Sequence, residues 1–142
     1  MLILPADQKI LLTWLIESEE IFHQIEKYIT PEDFSEGLFR KVAELLYEQY
    51  EKHEVNPAQI MNHFTDEEEH RQVAGLFHTK IKELTTVKEQ EKALQETILR
   101  VKDHSIEEAT KNLDPTDIQG LQRLMNEKRK MQDLRTLHIS IN

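Results

Sequence analysis

Seven histidines, His23, His53, His63, His70, His78, His104 and His138, are the side chains of this sequence best suited to hold a metal ion or move a proton near neutral pH. No two of them stand four residues apart, the spacing that brings two imidazoles onto one helix face. His63 and His70 could share one side of a loop as a ligand pair, but His70 follows Glu69 in a charged helix start and reads as a solvated side chain. The acidic run Asp66-Glu67-Glu68-Glu69 could attract a cation. The same carboxylates suit the positive end of a helix dipole, which is the simpler reading. There is no cysteine, hence no thiolate zinc site, disulfide or thiol nucleophile. Gly37, Gly75 and Gly120 stand alone, so there is no glycine-rich loop to cradle a phosphate. The expectation is a chain without a catalytic group, cofactor or metal of its own, whose work is to bind another macromolecule.

Charge narrows the choice of partner. The 142 residues carry 18 basic and 27 acidic side chains, a net charge of −9. A surface of that sign repels phosphates, so direct binding of nucleic acid is not expected. The charge is uneven. Residues 1–77 carry 6 basic and 16 acidic side chains, whereas residues 115–142 carry 5 and 3. The basic tail, Arg123, Lys128, Arg129, Lys130 and Arg135, reads either as a solvated helix face or as the complement of an acidic protein surface. No apolar run approaches the length of a membrane span. The opening Met1-Leu2-Ile3-Leu4-Pro5 is too short and uncharged for a signal peptide, so a cytoplasmic protein is expected.

The elements that would position such a surface are helices. Three glycines and four prolines are too few for the turns of an all-β domain. Each proline can sit in the first turn of a helix, where its missing N–H costs nothing. Pro5 opens a helix to about Glu17, carrying Ile10, Leu11, Trp14 and Leu15. A second helix covers about Ser18 to Tyr28, with Ile21, Phe22, Ile25 and Ile29 inward. Thr30 caps a short turn from Pro31 to Phe34, with Asp33 three residues after the cap. A third helix spans about Glu36 to Glu51, where Phe39, Val42, Ala43, Leu46, Tyr47 and Tyr50 fall at helical spacing. Short helices follow at about Pro57–His63 and Asp66–His78, the latter with Thr65 and Glu68 as a capping box.

The C-terminal third reads as two long helices. One starts at the capping box of Thr86 and Glu89, and the other at Pro115, with Asp114 as its cap. The short break between them, Asn112-Leu113-Asp114-Pro115, predicts an antiparallel hairpin. The first half of the long helix has an apolar stripe at Leu84, Val87, Leu94, Ile98 and Val101. The second half has another at Leu99, Ile106, Ala109 and Leu113, rotated by about 100°. The first half should therefore dock on the bundle and the second on the last helix, whose apolar residues are Ile118, Leu121, Leu124, Met125, Met131 and Leu134. Ser105 and Glu108 could alternatively form a capping box that breaks the long helix after His104. The fold expected is all-α: a helical bundle subdomain over residues 1–103, including the first half of the long helix, and a C-terminal helical hairpin subdomain over residues 104–142.

The order of these elements resembles two related families. The carrying residues are Ile29-Thr30-Pro31-Glu32-Asp33-Phe34 after the second helix, Leu38-Phe39-Arg40-Lys41-Val42 opening the third, and Asn56-Pro57-Ala58-Gln59-Ile60 after it. They resemble both the N-terminal domain of the bacterial replicative helicase (DnaB type) and the C-terminal helicase-binding domain of bacterial DNA primase (DnaG type). The long helix, the Asp-Pro break and the final helix ending Leu134-Arg135-Thr136-Leu137-His138-Ile139-Ser140-Ile141-Asn142 resemble the primase. That resemblance implies one part of a primase, whose zinc and magnesium belong to domains not contained in this sequence. It implies a monomer whose hairpin docks on the N-terminal collar of the hexameric helicase, bringing primer synthesis to the replication fork, while the bundle modulates the helicase. A helicase collar domain, or an unrelated all-helical adaptor, is the alternative. The outward hairpin positions expected to bind the partner are Leu121, Leu124, Met125, Lys128, Met131 and Arg135.

Overall fold

In the computed structural model, residues 5–78 and 86–141 are described; the stripe residue Leu84 lies outside them. Among the described residues the chain forms seven α-helices and no strand. They are α1 (Pro5–Glu17), α2 (Glu19–Ile25), α3 (Leu38–Lys52), α4 (Pro57–Met61), α5 (Glu67–His78), α6 (Val87–Lys111) and α7 (Ile118–Thr136), with a 3₁₀ turn at Pro31–Asp33. Helix α1 is the centre of the bundle and packs against α2, α3, α5 and α6. Accordingly its buried residues, Gln8, Leu11, Leu12, Thr13, Trp14 and Leu15, run right round the helix. Gln8 is satisfied by Ser35: its amide donates to Ser35 Oγ at 2.7 Å and its carbonyl accepts from Ser35 N at 3.0 Å. This pair ties α1 to the segment after the 3₁₀ turn.

The inward faces expected of the second and third helices are those found. Ile21, Phe22, Ile25 and Ile29 are buried against Val42, Ala43, Leu46, Tyr47 and Tyr50, with Phe39 half-buried at the edge. The Phe22 ring stacks on Tyr50 at 4.5 Å and meets Tyr47 edge-on at 4.8 Å. Both tyrosine hydroxyls donate to main-chain carbonyls, one in the last turn of α1 and one in the segment after α2. Tyr50 reaches Leu15 O at 2.5 Å, and Tyr47 reaches Ile29 O at 2.7 Å. Burial pushes both phenols up, Tyr50 to about 12. Tyr50→Phe would leave the Leu15 carbonyl unpaired in the core, and it is expected to cost about 1–3 kcal/mol in urea unfolding. A loss below a few tenths would mean that water reaches that carbonyl.

Local capping shifts several boundaries. Ser18 lies outside α2 as its cap, accepting from Ile21 N at 3.2 Å. Helix α2 stops at Ile25, three residues short of the expected end. Asp66, not Thr65, caps α5, because its carboxylate accepts from Glu69 N at 3.1 Å. Thr86 does cap α6, accepting from Glu89 N at 3.2 Å. Helix α6 then runs unbroken through Ser105 for 25 residues, so the alternative start at Ser105 is not used.

The end of the chain departs most from the expected division. Leu134 and Ile139 belong to the same core cluster as Leu11 and Leu46, with Leu137 and Ile141 packed against it. The segment after α7 is stitched down by two side-chain amides and a carboxylate. Gln24 donates to Ser140 O at 2.8 Å and accepts from Ser140 N at 2.9 Å. Gln95 donates to Leu137 O at 2.9 Å, and Glu91 accepts from Ile141 N at 3.0 Å. The hairpin that stands apart from the bundle core therefore lies between about residues 104 and 131, and the last residues of the chain return to the bundle.

Candidate functional site

The hairpin is shaped by its turn. Asp114 Oδ1 accepts from Thr116 N at 2.9 Å and from Thr116 Oγ1 at 2.8 Å. The backbone and then the hydroxyl of Thr116 hold the Asp114 carboxyl below its usual range. The cap of α7 is Asp117, accepting from Gly120 N at 2.9 Å, so Pro115 falls in the turn and not in the helix. Gly120 is buried, and a Cβ there would stand 2.8 Å from Leu113 Cδ1. Glycine lets the first turn of α7 close on the end of α6.

Helix α7 presents two faces. Gly120, Leu124, Met131 and Leu134 are buried, at spacings of four, seven and three residues. On the outer face Ile118 is 69% exposed, Leu121 38% and Met125 60%. This uncovered stripe continues at the same spacing into Lys128 and Arg135, both exposed. Of the six expected partner-binding residues, the structure thus brings Leu121, Met125, Lys128 and Arg135 onto one outward stripe. Leu124 and Met131 do not belong with them. They are 8% and 7% exposed and form the inner face, the correction that an antiparallel neighbour imposes on that side of α7. Ile118 is the addition, a large apolar residue at the stripe's head.

Beneath the hairpin lies a charged cluster that periodicity does not reveal. Lys102, on α6, is fully buried. Its ammonium donates to both oxygens of buried Asp33, at 3.2 and 3.3 Å, and to Glu127 of α7. Ser105 donates to Asp33 Oδ1 at 2.6 Å, and Thr30 N donates to Asp33 Oδ2 at 2.8 Å. Asp33 thus serves both as the expected partner of Thr30 and as the anchor of α6. Lys130 adds a second ammonium to Glu127 at 3.3 Å. The cluster joins the 3₁₀ turn, the long helix and the last helix at one point. Its signal in the sequence was a lysine one turn beyond Ile98 on the buried face of the long helix.

Glu127 gives the cluster a pH signature. Partial burial would raise its carboxyl, but Lys102 and then Lys130 outweigh that and hold it below its ordinary range. A carboxyl depressed in the folded state stabilises the fold above its unfolded pKa, and that contribution is lost as pH falls through the folded value. The stability gap between the wild type and Glu127→Gln is therefore expected to close as pH drops from about 6 to about 3. Urea midpoints measured across that range test it; a constant gap would contradict it.

Other candidates hold less. His63 and His70 are exposed, and among the described residues no group of three or more histidine, aspartate or glutamate side chains stands close enough to hold a metal ion. His23 lies between Glu26 at 2.9 Å and Glu19 at 3.3 Å, which together raise its pKa. No helix among the described residues is long and apolar enough to cross a membrane. Comparison with known protein families, characterised proteins and solved structures finds no match for this chain.

Proposed function

We propose that this chain is a helicase-docking domain of a bacterial DNA primase, acting by binding and not by catalysis. The observation that carries this reading is the outer stripe of α7. Ile118, Leu121 and Met125 lie uncovered, one after another, on a helix pair that extends beyond the bundle core, and the stripe ends in Lys128 and Arg135. A hydrophobic stripe with a basic end suits a helical partner that offers an apolar groove beside carboxylates. Single exposed apolar residues are ordinary on a protein surface; in this reading the aligned row of three is the recognition surface. The helix order around the capped Thr30–Asp33 turn supports the same reading.

In this reading the partner is the N-terminal collar of the hexameric replicative helicase, and docking holds primer synthesis at the replication fork. Titration of the labelled chain with the hexamer of the same organism should give saturable binding that weakens with salt, because Lys128 and Arg135 contribute. A flat titration at micromolar helicase would remove the assignment.

A further inference from the structure

A second surface lies on the opposite side of the hairpin. Between the distal half of α6, the start of α7 and the segment around the 3₁₀ turn runs an open groove of about 930 Å³. Its apolar floor comes from Phe34, Ile106, Leu113 and Leu124. Around that floor stand seven carboxylates, Glu32, Glu36 and Glu108 among them, against the guanidinium groups of Arg40 and Arg123. Asp33, Asp114, Asp117 and Glu127 already serve the cluster, the turn or the cap. Glu36 pairs with Arg40 at 3.6 Å and Glu108 with Lys111 at 3.9 Å, while Glu32 and Glu36 are exposed, the Glu36 side chain 89% so. The exposed basic residues Lys128, Arg129 and Arg135 of α7 do not line the groove, so they do not neutralise it locally.

We infer that this groove is a docking site for a short basic amphipathic helix of another protein. The charge selects a cationic occupant, and the apolar floor selects one with a hydrophobic face. The span along α6 from His104 to Lys111 is about 10 Å, which matches about two turns of helix. The groove is separate from the outer stripe, so the inference stands whether or not the helicase is the partner of that stripe. Its walls come from both the bundle and the hairpin, and the Lys102 cluster beneath fixes their separation.

The test uses the full chain and a labelled synthetic peptide of about 18 residues, with leucine on one helical face and arginine and lysine on the other. Binding is read by fluorescence anisotropy at about 0.15 M salt. The wild type should bind it, and the triple variant Glu32→Gln, Glu36→Gln, Glu108→Gln should bind at least about tenfold more weakly. The control removes the same charge from α5, as Glu67→Gln, Glu68→Gln, Glu69→Gln, and should change affinity by less than about twofold. Ala109→Trp, placing bulk in the groove from an exposed position, should also weaken binding. The inference is overturned if the peptide does not bind, if both triple variants weaken it equally, or if Ala109→Trp has no effect. It is equally overturned if Leu121→Asp with Met125→Asp abolishes peptide binding, which would place the peptide on the outer stripe.

Discussion

Lys102→Met should lower the free energy of unfolding by about 3–5 kcal/mol, a large share of the total for a domain of this size. The side chain of Lys102 is 1% exposed, and methionine fills much of the same volume. The cost arises from what is left behind. Asp33, 6% exposed, would keep its charge with only Ser105 Oγ and Thr30 N as donors, and Glu127 would keep Lys130 alone. A buried carboxylate stripped of its cation is far costlier than a buried pair replaced as a whole. Adding Asp33→Asn should therefore recover much of the loss, because the neutral amide can accept from Thr30 N with its oxygen and donate to Ser105 Oγ with its nitrogen. The two single variants and the double form a cycle whose interaction energy reports the pair directly. Urea unfolding followed by helicity measures all four proteins. A loss below about 1 kcal/mol for Lys102→Met would mean that the cluster is hydrated and does not hold the hairpin.

The second large effect concerns binding. Leu121→Asp with Met125→Asp should weaken helicase binding by about two orders of magnitude while leaving helicity and melting behaviour near those of the wild type. Burying each side chain contributes roughly 1.5–3 kcal/mol, and each 1.4 kcal/mol is about tenfold in affinity. Met125 is 60% exposed and Leu121 38%, so charges there should disturb the chain's own packing far less than charges on the inner face. Leu124→Asp with Met131→Asp is the contrast. Those positions are 8% and 7% exposed, and charges there should loosen α7 from α6 before any partner arrives. Equal affinity for wild type and the Leu121/Met125 variant would take the partner away from the outer stripe.

Much of this architecture was legible in the sequence, because helices announce themselves through spacing and caps. The inward sets of α2 and α3, the Thr30–Asp33 turn and the hairpin break at Asn112–Pro115 were all local patterns. What was not legible depended on residues far apart in the chain. Periodicity groups Leu124 with Met131 and Leu121 with Met125, but it does not say which group meets α6. The Lys102 cluster needs Asp33, 69 residues away, and no local pattern announces such a pairing. The return of the chain end rests on Gln24, 116 residues from Ser140. Asp117 displaced Asp114 as the cap of α7 because Pro115 and Thr116 complete a turn of their own before the helix begins.

The outer stripe is tested most directly by size-exclusion chromatography with light scattering. The chain would be run alone, and then mixed with the hexameric replicative helicase of the same organism. Docking predicts a monomer alone, a complex that co-elutes with the hexamer, and loss of that complex with Leu121→Asp and Met125→Asp. A chain that self-associates and leaves the helicase peak unchanged would contradict it, and would favour a collar domain that assembles with copies of itself.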